Sequence, residues 1–333
     1  MLTATRLYKA FSGQSVLQNV SLALHPGQLV ALVGVSGSGK STLLNLLAGL
    51  LDADRGEVRL HGQPVAGPAN TLVAGHPQIR LVHQEFQLLP NISLRENIDY
   101  ALRAYDPAYR EARVNYLLRL CRLEAVQHHK PRQASGGEKQ RTALAAALAQ
   151  PADVLLLDEP FSHLDLLNKL LFREVLLALV RQANQPAPPP ACLFVTHDAT
   201  DALSVADQIG VLDRGKLSPL VMPRDLYANP GSVLAARLTG SVAVFRGRHL
   251  PALGLSPAPT PNALHGLRPE HVWLGPNAPL EGRVTGVFFQ GARTELAITL
   301  NRYLTLFAYT SRADVQPGDQ VRIGIDPAGL MTL

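Results

Sequence analysis

Between residues 34 and 41 the chain reads GVSGSGKS, a segment that satisfies G-x-x-x-x-G-K-[ST]. Glycines at 34, 37 and 39 let a backbone curl around an anion. A helix starting at the end of the motif would then turn free N–H groups and the positive end of its dipole toward phosphates. Lys40 would hold the β- and γ-phosphates, Ser36 and Ser38 would complete the cradle, and Ser41 offers a hard oxygen to Mg²⁺. Thr42 adds a hydrogen bond from the first helical turn. A plain glycine turn would explain neither Lys40 nor the spacing. Downstream, Asp158 and Glu159 follow the apolar run 154–157. Two acids at the carboxyl end of a strand suit two roles: Asp158 holds the cation through water, and Glu159 orients and polarises the water that attacks the γ-phosphorus.

These residues need a frame. Segments 16–24 and 56–60 alternate in polarity, with turn signals at Pro26-Gly27 and His61-Gly62, and predict a small antiparallel sheet. Residues 29–33 predict a buried strand and 41–51 a leucine-rich helix, which places the glycine motif on a strand–loop–helix unit. Residues 154–157 and 192–196 predict further buried strands. Each is preceded by a helical stretch, so the core is expected to be α/β with parallel strands and crossover helices. Residues 92–123 read as a helical insertion, opened by a Ser93/Glu96 capping box. The proline- and alanine-rich stretch 182–190 reads as a surface loop. Past residue 238, prolines and short β-rich runs predict a second, all-β domain, a small barrel of OB type. Its aromatics, Trp273, Phe288, Phe289, Tyr303, Phe307 and Tyr309, are expected to fill the barrel core rather than to stack nucleic-acid bases.

Composition narrows the class. The chain has 333 residues, enough for two domains; 47% are apolar and 17% charged, which argues against disorder. No apolar run reaches the eighteen to twenty residues of a membrane span, and the start, MLTATRLYKAF, lacks the apolar core of a secretory signal. A cytoplasmic location follows as an expectation, with Cys121 and Cys192 as reduced, buried thiols. The net charge of +5 comes with no concentrated basic block and reads as solvated surface.

Residues 135–141 read SGGEKQR. Ser135, Gly136 and Gly137 open an alanine-rich helix, a second helix N-terminus able to meet an anion. With this segment lying between the phosphate loop and Asp158, the chain resembles the ATP-binding-cassette (ABC) family, P-loop NTPases with a RecA-like core. Only 95 residues separate Lys40 from Ser135, room for a helical insertion but not for a long coiled coil, which argues against a chromosome-organising ATPase. The resemblance implies that Ser135, Gly136 and Gly137 cap the γ-phosphate of ATP held by a second copy, so that a homodimer sandwiches two ATP molecules. It further implies that Gln84, in LVHQEF, links the Mg²⁺ and the attacking water to the helical insertion. Asp165, in SHLD, would contact the second copy, His197, in FVTHD, would reach the γ-phosphate, and Phe11 would stack on adenine. Ala134 and Glu138 depart from the commoner leucine and glutamine.

The cassette is expected over residues 1–240, with its helical subdomain at roughly residues 85–150. Residues 225–240, DLYANPGSVLAARLTG, resemble the segment that closes the cassette in importer ATPases. GLRPEHV at 266–272 and PGDQV at 317–321 resemble the TOBE domain of importers for polyamines, ferric iron, sulfate and maltose, which places a regulatory domain at 241–333. The resemblance therefore implies the ATP-hydrolysing subunit of an uptake system. Such a subunit sits on the cytoplasmic face of the membrane, paired with two transmembrane permease subunits and, through them, an extracytoplasmic solute-binding protein. An exporter subunit is the nearer alternative. A nucleic-acid ATPase is the more distant one, since the chain has one cassette.

Overall fold

In the computed structural model, which describes residues 1–83, 88–162, 164–181 and 188–333, the chain starts with a strand that its alternation conceals. β1 (Leu2–Phe11) pairs antiparallel with β2 (Gln14–Leu24). Arg6 adopts a left-handed backbone with φ 49°, and the register slips between Ala4 and Leu7. The inward residues are therefore Leu2, Ala4 and Leu7, and the bulge breaks the period of two that marks a strand. β3 (Leu29–Val33) is buried throughout and leads into α1 (Lys40–Leu47). This helix is shorter than the 41–51 expected, and Gly49, at φ 72°, turns the chain just beyond it. β4 (Arg55–Leu60) and β5 (Gln63–Pro64) complete a sheet ordered β2-β1-β4-β5.

Next come β6 (Ile79–Val82) and the helical insertion, which holds α2 (Leu94–Tyr100) and α3 (Pro107–Leu120). Both are capped as their sequences dictate. Ser93 and Glu96 form the reciprocal capping box, and Asp106 accepts from Ala108 N and Tyr109 N ahead of a proline in the first turn. α4 (Gly136–Ala147), β7 (Val154–Asp158), α5 (Leu166–Val180), β8 (Ala191–Thr196), α6 (Ala199–Val205), β9 (Gln208–Asp213) and β10 (Lys216–Leu217) follow. The second sheet runs β10-β9-β3-β8-β7-β6 and is parallel except at β10. Leu43, Leu44, Leu46 and Leu47 of α1 pack with β1, β2 and the parallel strands in one apolar cluster. Each such leucine contributes about 1.5–3 kcal/mol. Cys121 and Cys192 are buried and free; burial pushes the first thiol up to about 12 and the second higher still. Among the described residues, no helix is long and apolar enough to cross a membrane.

The chain divides into compact units at Met1–Val221 and Met222–Leu333, not at the residue 240 expected from sequence. The reason lies within the second unit, in α7 (Pro223–Ala228), α8 (Val233–Leu238) and a buried arginine. Arg268 is 1% exposed. It donates to Tyr227 O from Nε (3.1 Å) and Nη2 (2.8 Å), and to Thr239 Oγ1 from Nη2 (2.8 Å). Its guanidinium also lies 3.6 Å from the centre of the Tyr227 ring. A buried cation is tolerated only when it is paired or fully hydrogen-bonded. Residues 222–240 supply those bonds, so they belong to this unit.

The rest of the second unit is β11 (Ala243–Arg246), β12 (Leu264–Leu267), β13 (Val272–Leu274), β14 (Leu280–Phe289), β15 (Thr294–Asn301), β16 (Leu304–Thr310), β17 (Gln320–Ile325) and β18 (Leu330–Thr332). Strands β13-β17-β14-β15-β16 form an all-antiparallel, nearly closed barrel whose end strands pack on one another, and β11-β12-β18 form a separate sheet. The expectation of an aromatic core is wrong. Trp273, Phe288, Phe289 and Tyr303 are exposed, and Phe307 and Tyr309 only half-buried. The core is mainly aliphatic, with Val284, Leu296, Ile298, Leu304, Leu306, Ala308 and Ile323 pointing inward; Phe245 of β11 is buried in the same cluster and Phe307 packs against it from outside the barrel. Phe307 and Tyr309 occupy the alternate positions of β16 and so face outward.

Candidate nucleotide site

Adjacent parallel strands β3, β8 and β7 deliver the chemistry to one sheet edge. The phosphate loop leaves β3, His197 follows β8, and Asp158 and Glu159 end β7. Gly34 N donates to Thr196 O at 3.3 Å, continuing the β3–β8 ladder into the loop. Gly39, at φ 105°, occupies the cap position of α1, and a Cβ there would approach Leu17 Cδ2 to 2.9 Å and Val16 O to 3.0 Å. Both the left-handed backbone and the close strand require glycine. Val35, Ser36 and Gly37 form the exposed tip, whereas Ser38, Gly39 and Lys40 are buried. Among the described residues Ser38 Oγ has no hydrogen-bond partner, an orphan that a phosphate oxygen would satisfy.

Lys40 is folded onto its own loop. Its Nζ donates to Gly34 O at 2.8 Å and to Val35 O at 3.2 Å, and lies 3.8 Å from Glu159 Oε1. Glu159 is held from three sides: Oε2 is 2.8 Å from His197 Nδ1 and accepts from Ser162 Oγ at 3.0 Å, while Oε1 faces Lys40. Its backbone sits at φ 51°, a left-handed conformation costing on the order of 1–3 kcal/mol for a residue with a side chain. Glu159 N donates to Val195 O at 3.0 Å, which pins the bend. Ser162 was not expected from sequence; its place three residues after Glu159, in the turn beyond a strand, is the only signal.

Burial raises the pKa of Asp158 above the usual carboxylate range. The Ser41 hydroxyl beside it opposes the shift, the Glu159 charge reinforces it, and His83 and Lys40 oppose it. Ser41 and Asp158 together are two adjacent hard-oxygen donors with an excess of negative charge, a donor set that fits a divalent cation. The energetic sign is definite. A carboxylate whose pKa rises on folding contributes stability only while protonated, and that contribution is lost as pH climbs through the raised value. Asp158→Asn should therefore raise the melting temperature of the nucleotide-free chain at pH 7.5. The gain should shrink as pH falls toward the ordinary carboxylate range. Calorimetry in chelator across pH 4–8 reads this directly, and an unchanged or lower melting point at pH 7.5 counts against it.

The second group of expected residues forms its own cluster. Ser135 N-caps α4 in a capping box: Glu138 N donates to Ser135 Oγ at 3.3 Å and Ser135 N to Glu138 Oε2 at 2.7 Å. Glu138 therefore shapes the helix tip. Gly136 is exposed and a Cβ on it would meet nothing, while Gly137 is buried and a Cβ there would lie 2.4 Å from Asn168 Oδ1. Asp165 N-caps α5. Among the described residues, no hydrogen bond or ion pair joins Ser135 or Asp165 to the phosphate loop. Phe11, at the end of β1, is 46% exposed, with Lys9 Nζ 5.4 Å from its ring centre. Thr42 is half-buried in the first turn of α1. Gln84 lies outside the described residues.

Residues 17–162 match the family described as ABC transporter, and residues 265–333 match the TOBE domain. The Haemophilus influenzae protein named Fe(3+) ions import ATP-binding protein FbpC is 31% identical over 99% of this chain and 98% of its own length. Fe(3+) ions import ATP-binding protein FbpC 2 of Pectobacterium atrosepticum is 37% identical over 74% of this chain and 70% of its own. Among solved structures, the dimeric ATP-binding cassette MJ0796, in a post-hydrolysis state bound to ADP and Pi, superposes with a TM-score of 0.57 at 26% identity. That match covers 67% of this chain and 99% of the other.

Proposed function

The chain belongs to the ABC transporter family of ATP-binding proteins, and from that premise we propose that it hydrolyses ATP to power solute uptake through membrane-embedded partner subunits. The observation that carries this reading is the convergence of Lys40, Asp158, Glu159 and His197 at the ends of β3, β7 and β8. In this reading Lys40 turns from the Gly34 and Val35 carbonyls to the β- and γ-phosphates of ATP, and the free N–H groups of α1 close around them. Ser41 and Asp158, with Gln84, would hold Mg²⁺, which when bound would supply charge neutralisation at the phosphates. Glu159, braced by Ser162 and His197, orients the attacking water and draws off its proton.

A second copy completes the site, with its Ser135 helix tip closing over the γ-phosphate and its Asp165 contacting the first copy. ATP binding draws the two cassettes together, and hydrolysis lets them part. The cassette spans residues 1–221 and works at the cytoplasmic face of the membrane. The TOBE-type unit at 222–333 is regulatory, and a solute-binding protein feeds the permease from outside. What supports uptake over export is the TOBE match together with relatives named as import proteins. The test is to isolate the full-length tagged chain from cross-linked membranes and identify what accompanies it. Two integral permease subunits are the expected companions. Recovery without integral membrane proteins, or with ribosomes or DNA, would sink the proposal.

A further inference from the structure

One amide touches both of the elements assigned to the second copy's site. At the start of α5, Asn168 N donates to Asp165 Oδ1 at 2.8 Å and Asn168 Nδ2 donates to Asp165 Oδ2 at 3.0 Å. The other end of the same side chain, Oδ1, accepts from Arg141 Nη1 of α4 at 3.1 Å. Arg141 is buried and donates from Nε to Cys121 O at 2.9 Å, at the end of α3. The Asn168 amide also lies flat against Gly137, where any Cβ would stand 2.4 Å from Oδ1 and 3.1 Å from Asn168 Cβ. The second glycine of the SGG run is thus required by Asn168 packing, while Gly136 keeps the open outward side.

We propose that Asn168 is a positioning residue that fastens Asp165 to the Ser135–Gly137 helix tip, so that both partner-facing elements present themselves to a second copy in one fixed arrangement. The inference rests on the sandwich reading above. The chemistry demands an amide: one planar group must give a proton to a carboxylate and take one from a guanidinium. An aliphatic side chain would leave Arg141 Nη1 and Asp165 Oδ2 without these partners, and a carboxylate would set two like charges face to face. Arg141 carries the connection on to the helical insertion, so closure and insertion move together.

The test uses the full-length chain and three readouts: affinity for a fluorescent ATP analogue at dilutions where the chain is monomeric, ATPase rate against chain concentration, and gel filtration with Mg·ATP in a Glu159→Gln background. Asn168→Ala should keep analogue affinity within about twofold, because no Asn168 contact reaches the phosphate loop. The chain concentration giving half-maximal rate should rise about tenfold, the equivalent of one lost charge-assisted hydrogen bond. Asn168→Asp should show the same defect at pH 8. It should recover dimer relative to its parent as pH falls toward 5.5, where the introduced carboxyl shares a proton with Asp165 beside Arg141.

A merely structural lesion would not reverse with pH. If Asn168→Ala does not fold, the pH response of Asn168→Asp decides: recovery supports the proposal and a flat response overturns it. An unchanged half-maximal concentration in Asn168→Ala, or a loss of analogue affinity of the same size as the dimer defect, also overturns it. If the Glu159→Gln parent itself never dimerises with ATP, the sandwich reading fails and takes this inference with it.

Discussion

Glu159→Gln should lower steady-state hydrolysis by about 10²–10⁴-fold, the range for removal of a positioned general base, while ATP stays bound. The amide can still accept from Ser162 Oγ, so the side chain keeps its place, and the left-handed backbone pinned by Val195 O is unaffected. What disappears is the charge that draws off the water's proton. A second consequence is electrostatic. The lost carboxylate stands 3.8 Å from Lys40 Nζ, with both side chains largely buried, so the ligand-free variant presents a less neutralised cation to an incoming phosphate. Affinity for ATP should tighten several-fold, and a closed dimer should accumulate. Single-turnover hydrolysis and gel filtration with and without ATP separate the two effects. A parental rate in the variant would exclude Glu159 as the base.

Lys40→Ala acts one step earlier. Two charge-assisted hydrogen bonds to phosphate, at about 1.5–3 kcal/mol each before their non-additivity is counted, correspond to a loss in ATP affinity on the order of 100-fold or more. The ligand-free loop suffers too, because Gly34 O and Val35 O lose the donor they share. Lys40→Arg should not rescue binding, since the seat is shaped for a compact ammonium that is 7% exposed in the chain. Titration with a fluorescent ATP analogue reads the affinity. A dissociation constant within twofold of the parent's would remove Lys40 from the phosphate site.

The parts of the site that announce themselves in sequence are those where residue type and spacing are both set by local geometry. GVSGSGKS fixes a strand, a loop and a helix start within a few residues, and β3 and α1 sit where that reading puts them to within a residue at the helix start. Ser93 and Glu96 carry their capping box in the same local way. What hides is settled by tertiary contacts. β1 is masked by the Arg6 bulge, and the outward aromatics of β14 and β16 look like core until the strand phase is known. Asn168 sits in a leucine-rich helix, and its only local hint is its spacing three residues after an N-capping Asp165. Its partners Arg141 and Gly137 lie 27 and 31 residues upstream, a separation no helix or strand period encodes.

The buried guanidinium of Arg268 fixes where this polypeptide can be divided. A fragment ending at residue 240 would carry off Tyr227 and Thr239 and strip Arg268 of the carbonyl and hydroxyl that bind it. A break after Val221 keeps Arg268 with Tyr227 and Thr239. Any graft that exchanges the C-terminal module between related proteins must therefore move residues 222–240 with the barrel, so that the arginine travels together with the carbonyls and hydroxyl that rivet it in place.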